Sequence, residues 1–107
     1  MKISVRNLNK YQIFDLEGPI SVDDADRIEA FMYENISRES TKAVINLRSI
    51  IQINSQTLGS FVRIQRTIKE KGITLAIICT NPDLNKLFKI TGTAQFFTFY
   101  KDESEII

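Results

Sequence analysis

The sequence predicts a small α/β fold: a mostly parallel mixed sheet with an N-terminal β-hairpin and three to four helices. Three features carry that prediction. Ala43–Leu47 and Ile73–Cys79 are almost continuous apolar runs rich in β-branched residues, the pattern of strands covered on both faces. Helix-periodic segments lie between and around these runs, and strand–helix–strand order brings right-handed crossovers and parallel pairing. The chain has 107 residues, 43% hydrophobic and 25% charged, which is the size and balance of one globular domain over residues 1–107.

The elements follow in order. From Tyr11 to Glu17 the chain alternates, with Ile13 and either Phe14 or Leu16 apolar beside Gln12, Asp15 and Glu17, and it stops at Gly18-Pro19; this reads as a half-buried strand. Ile3-Ser4-Val5, across a turn at Asn7-Leu8-Asn9, is its antiparallel partner. Ser21 offers a helix N-cap, Asp23 and Asp24 suit the first turn, and Ala25, Ile28, Phe31, Met32 and Ile36 recur at three and four, giving about four turns. After the strand at Ala43–Leu47, Asn54 caps a helix from Ser55 to Lys71 that Gly72 closes. The strand Ile73–Cys79 leads to a third helix, capped by Asn81 with Pro82 at its first position and ending at Thr91-Gly92. Phe96–Tyr100 is a last strand, and Lys101 to Ile107 is a polar tail too short to assign.

Composition excludes several functions. Fourteen Lys plus Arg against thirteen Asp plus Glu leave a net charge of +1, without the basic excess of a direct nucleic-acid binder. There is no histidine and one cysteine, Cys79, so imidazole chemistry and an intrachain disulfide are both ruled out. Gly18, Gly59, Gly72 and Gly92 form no phosphate-binding loop, so no nucleotide cofactor is expected. Asp23-Asp24 lack a third ligand and complement the helix dipole, and no metal site is expected. Phe96, Phe97, Phe99 and Tyr100 have no interleaved cations and read as core. No apolar run approaches the ~20 residues of a membrane span, and Met1 to Arg6 lack a signal-peptide pattern; the expected location is the cytoplasm.

One segment exceeds what capping requires. Ile53–Ser60 crowds small polar residues at a helix start: Asn54 satisfies the cap, which leaves the hydroxyls of Ser55, Thr57 and Ser60 around a turn that favours negative groups. At about 100° per residue, Leu58, Phe61, Ile64 and Ile68 fall on one side of this helix, and Gln56, Gly59, Arg63 and Arg66 on the other with Ser55 beside them. The outward stripe is the expected docking face. Gly59 lets a partner's backbone approach, and Arg63 and Arg66 are candidates for partner carboxylates.

The stretch Ala43 to Phe61, A-V-I-N-L-R-S-I-I-Q-I-N-S-Q-T-L-G-S-F, resembles the central signature of STAS domains, and particularly of the bacterial anti-sigma factor antagonists. There a buried strand ending Asp-Leu leads, about seven residues on, to Asp-Ser-x-Gly-Leu-Gly at a helix start. Gly18-Pro19-Ile20, Asn81-Pro82 and Thr91-Gly92 are similar to the family's other turns, so the resemblance spans nearly the whole chain. It implies a STAS-like fold and a protein that catalyses nothing and needs no cofactor. Unmodified, such a protein captures an anti-sigma factor, which often doubles as a serine kinase, and so frees the sigma factor. Phosphorylation of the serine that corresponds to Ser55 turns it off, and a phosphatase resets it. The crowded helix start, its outward stripe and the serine singled out by the resemblance together give the expected partner contacts: Asn54, Ser55, Gln56, Thr57, Gly59, Ser60, Arg63 and Arg66. The chain is expected to be a monomer or weak dimer that touches neither membrane nor nucleic acid. It departs from the family at Asn54 and Asn46, amides where the family has aspartates, and at Thr57, where it has a glycine. Both amides are expected to remove negative charge around Ser55. Three alternatives stay open: modification at Thr57 or Ser60, an unphosphorylated interaction module that acts as a scaffold in a signalling complex, and a small-ligand or nucleotide sensor, which a ligand-dependent rise in melting temperature would reveal.

Overall fold

Alternating strands and helices wind into one sheet, and a computed structural model describes the chain over residues 1–106; Ile107, the end of the polar tail, lies outside the described residues. The order is β1 (Lys2–Leu8), β2 (Tyr11–Glu17), α1 (Asp24–Asn35), β3 (Lys42–Ser49), α2 (Ser55–Lys69), β4 (Thr74–Ile78), α3 (Pro82–Ile90) and β5 (Thr98–Tyr100). The strands lie side by side in chain order, β1 antiparallel to β2 and every later pair parallel. This is the mixed α/β sheet expected, with three helices.

Differences from the sequence reading lie at the ends of elements. The hairpin turn is Asn9-Lys10 rather than Asn7–Asn9: Leu8 pairs with Tyr11, and Asn9 takes the left-handed φ of 59° that a tight turn needs and asparagine tolerates. Helix α1 starts later than Ser21 because Asp24 reaches back instead. The Ser21 amide and hydroxyl donate to Asp24 Oδ2 at 2.8 and 3.1 Å, and these bonds, with the Ser21 amide foremost, hold the Asp24 carboxyl below the ordinary range. β5 is shorter than Phe96–Tyr100 because Ala94–Phe96 forms a 3-10 turn. Phe97 and Phe99 pack edge-on against Phe88 of α3, with ring centroids 5.8 and 5.1 Å away.

The large buried apolar side chains of the helices, from Ile28 and Met32 to Leu84 and Phe88, share a core with one face of the sheet, which presents Phe14, Leu16, Ala43, Ile45, Leu47, Leu75 and Ile77. The opposite face, with Ile13, Val44, Ala76 and Ile78, is also sealed, but by none of α1, α2 or α3. The C-terminal stretch does so. Its Glu103–Glu105 turn places Ile106 on those four residues, and Arg6 and Arg48 tether it through Glu103 and Asp102. The free Cys79 lies under α3, where burial pushes its thiol up, away from the reactive thiolate.

Three carboxylates carry the pH dependence. Burial raises Asp15, but hydrogen bonds from Arg6 (2.7 Å) and Asn46 (2.8 Å) outweigh it and leave the group below its ordinary 3.8. Glu29 of α1 behaves alike: Arg63 of α2, at 2.8 Å, overcomes burial and holds it below 4.5. With Asp24, these groups titrate lower in the folded than in the unfolded chain. Their stabilisation is therefore complete above the unfolded values and is lost as pH falls through the folded ones. The urea midpoint is expected to hold from pH 7 to about 5 and then to fall, less steeply in Arg6→Gln. A midpoint unchanged between about pH 5 and 3 would show that these pairs contribute nothing.

Candidate functional site at the start of the second helix

The site is set by one cap. Asn54 is extended and its Oδ1 accepts from the Thr57 amide at 2.8 Å, which starts α2 without help from the next side chain. Ser55 is therefore left exposed, and among the described residues its hydroxyl bonds only to Gln56 Oε1, at 3.2 Å. Across a shallow hollow stands the beginning of α1. Val22, Asp23, Ala25 and Asp26 form one wall, and Ser55, Gln56, Gly59 and Arg63 the other. Sequence reasoning found the second wall and missed the first, because crossover packing rather than spacing brings the two helix starts together. A signal existed in Val22, an apolar residue amid Ser21, Asp23 and Asp24 that belongs to no helical stripe.

Two expected contact residues are not at the surface. Thr57 and Ser60 are both 0% exposed, so neither meets a partner, and neither hydroxyl is open to modification. The reason is that α2 is covered twice, by the sheet and by α1. Ser60 lies against α1, with Oγ 3.4 Å from the Ala25 carbonyl and accepting from Arg63 Nη2 at 3.0 Å. The Thr57 hydroxyl has no hydrogen-bond partner among the described residues, and burying it unpaired costs stability. Thr57→Val keeps the shape and removes the orphaned hydroxyl, so it is expected to raise stability by about 1 kcal/mol, read as a higher urea midpoint at unchanged slope. An equal or lower midpoint would mean that the hydroxyl is satisfied.

The cations are also spoken for. Arg63 pairs with Glu29 of α1 at 2.8 Å, so its carboxylate lies within the chain and not on a partner. Arg66 stacks over Phe96, 6.0 Å from the ring centre, and takes no part in lining the hollow. Asn46 lies elsewhere: it donates to Asp15 on the helix-free face, so this amide removes charge beside Asp15 rather than beside Ser55. Gly59 does face the hollow. A Cβ there would meet only the flexible end of Arg63, at 3.4 Å, so nothing in the fold demands glycine at this point.

What remains is a hydroxyl that faces two carboxylates across the hollow, with the Glu29-paired Arg63 on its own wall. Among the described residues Asp23 and Asp26 have no ion pair, whereas Asp24 is turned inward to Ser21 and Arg27. A phosphate on Ser55 would gain about 0.3 to 1 kcal/mol from the helix N-terminus, and the two carboxylates opposite would offset that gain. The arrangement holds a surface group whose charge can change without disturbing the core.

Comparison with known proteins places this geometry. The fold matches that of the Thermotoga maritima protein TM1081, with a TM-score of 0.82, 18% identity and coverage of 97% of this chain and 90% of that one. It also matches an anti-sigma factor antagonist from Mycobacterium paratuberculosis (TM-score 0.79, 17% identity, 97% and 88% covered). A third match is the phosphorylated form of the Bacillus cell-fate determinant SpoIIAA (TM-score 0.74, 15% identity, 98% and 96% covered). No curated protein sequence matches. Among the described residues no helix is long and apolar enough to cross a membrane. The family model for the STAS domain matches residues 2–106, and the chain therefore belongs to the STAS domain family.

Proposed function

We propose that this protein is an anti-sigma factor antagonist. Unmodified, it binds an anti-sigma factor that is also a serine kinase and so releases the sigma factor; phosphorylation of Ser55 by that kinase ends the binding, and a phosphatase restores it. It works in the cytoplasm as a monomer or weak dimer and catalyses nothing itself. The observation that carries this reading is the contrast among three neighbouring hydroxyls: Ser55 is exposed at the mouth of α2, while Thr57 and Ser60 are sealed. Two supports come from outside the chain. The M. paratuberculosis protein of the same fold is an anti-sigma factor antagonist, and SpoIIAA exists in phosphorylated and unphosphorylated forms.

The test is phosphosite mapping by mass spectrometry on the protein from its native cells, across growth phases. Phosphate on Ser55 and on neither Thr57 nor Ser60 is the expected result. Its absence in every condition would overturn the phosphocycle and leave a scaffold-type interaction module, which is the reading that Asn54, in place of the family's aspartate, favours.

A further inference from the structure

We propose that the partner surface covering Ser55 is basic and apolar: a lysine or arginine side chain for Asp23 and Asp26, and aliphatic or aromatic side chains for the exposed Val22 and Ile51. This rests on the reading of Ser55 as the centre of an anti-sigma kinase interface, and it reverses the polarity that Arg63 and Arg66 suggested from sequence. The charges decide it. Arg63 is paired with Glu29 and Arg66 is stacked on Phe96, so the two arginines of α2 are engaged within the chain, and Lys69 lies at the far end of the helix from Ser55. The carboxylates of Asp23 and Asp26 have no ion pair among the described residues, and both line the hollow that Ser55 lines. A partner carboxylate brought here would be repelled, whereas a cation is attracted.

The apolar part is equally specific. Ile50 is buried and Ile53 half-buried, but Ile51 between them is 76% exposed and Val22 is 58% exposed. Each stands in a hollow against the turn joining β2 to α1, Ile51 with Gly18, Pro19 and Ile20, and Val22 with Asp23 and Ser55. The two hollows thus flank the same turn, one holding the exposed Ile51 and the other Val22, the Ser55 hydroxyl and the two carboxylates. An apolar centre beside a charged rim is the anatomy of a specific protein interface.

The polarity also fits a switch. Docking removes water from Asp23, Asp26 and any group on Ser55 together. A phosphate there would be a third anion in the same dry space, more than one partner cation neutralises.

The kinase that co-purifies with the full-length protein from its native cells serves as the probe. Its affinity is measured by calorimetry for the unmodified protein, Asp23→Lys with Asp26→Lys, Ile51→Ser, and Ser55→Asp, in about 0.05 M and about 0.3 M salt. Charge reversal is expected to weaken binding about tenfold or more and to flatten its salt dependence, and Ile51→Ser to weaken it about tenfold with an unchanged melting temperature. Should the double lysine variant melt early, Asp23→Asn with Asp26→Asn must show the same sign at smaller size. Reversal variants that bind as tightly as or more tightly than the unmodified protein, while Ser55→Asp loses binding, would overturn this inference and leave the proposed function standing. Ser55→Asp binding at full strength, or no serine kinase co-purifying, would overturn both.

Discussion

Ser55→Asp is expected to lose about 2 to 5 kcal/mol of affinity for the anti-sigma partner, about thirtyfold to several-thousandfold, while its melting temperature stays within about 2 °C. The two halves of that expectation have separate causes. In the free protein the new carboxylate is solvated at a helix N-terminus, where the dipole favours it and Asp23 and Asp26 oppose it, so the net effect on folding is small. Nothing structural depends on the serine itself, because the cap bond to Thr57 comes from Asn54. In the proposed complex the carboxylate would be stripped of water in the hollow it shares with Val22 and would lie near two other anions, which raises the cost. Ser55→Ala is the control that separates charge from shape, and it is expected to bind like the unmodified protein. Calorimetry and thermal melting of the same samples read both halves. Full-strength binding by Ser55→Asp, or a melting temperature lower by more than about 10 °C, would show that charge at this hydroxyl does not act as a switch on a rigid domain.

The strands and helices were legible because periodicity records what each element must bury. Ala43–Leu47 and Ile73–Cys79 read as buried strands, and Ala43, Val44, Ile45, Ala76, Ile77 and Ile78 are all 0% exposed. The caps Asn54 and Asn81 were legible too, since an N-cap is a local signal set by one side chain and one amide. What escaped depends on contacts between distant parts of the chain. The tail could not be assigned because Ile106 gains its partners only once Ile13, Val44, Ala76 and Ile78 lie side by side. For the same reason Ser60 reads as a partner contact: helical geometry fixes its angle on α2, while the position of α1, which covers it, follows from the crossover. Arg63 was assigned to a partner because Glu29 stands 34 residues away. The exposed hydroxyl was therefore readable from sequence, and the acidic, half-apolar wall facing it was not.

Gln12 shows the same limit in the core, and its replacement is expected to be the most destabilising polar change in the chain. Alternation places it among the polar positions of β2, yet it is 3% exposed. Its amide uses its full capacity. Nε2 donates to Asn7 Oδ1 at 2.8 Å and to the Asn35 carbonyl at 2.7 Å, and Oε1 accepts from the Ser37 amide at 2.9 Å and the Ser40 hydroxyl at 2.7 Å. One side chain thus joins the first hairpin strand, the end of α1 and the loop into β3. Gln12→Leu preserves the volume and leaves those four groups without it, Ser40 among them buried. The expected loss is about 3 kcal/mol, or about 12 °C in melting temperature at roughly 4 °C per kcal/mol for a domain of this size. Gln12→Glu separates hydrogen bonding from packing. Its carboxylate still accepts from Ser37 and Ser40 but repels the Asn7 and Asn35 oxygens, and protonation restores one donor. Burial beside those oxygens favours the protonated form in the folded state, so this variant should recover stability relative to the unmodified protein as pH falls. A melting temperature for Gln12→Leu within about 3 °C of the unmodified protein would mean that the loop from Asn35 to Ser40 finds other partners and that Gln12 pins nothing.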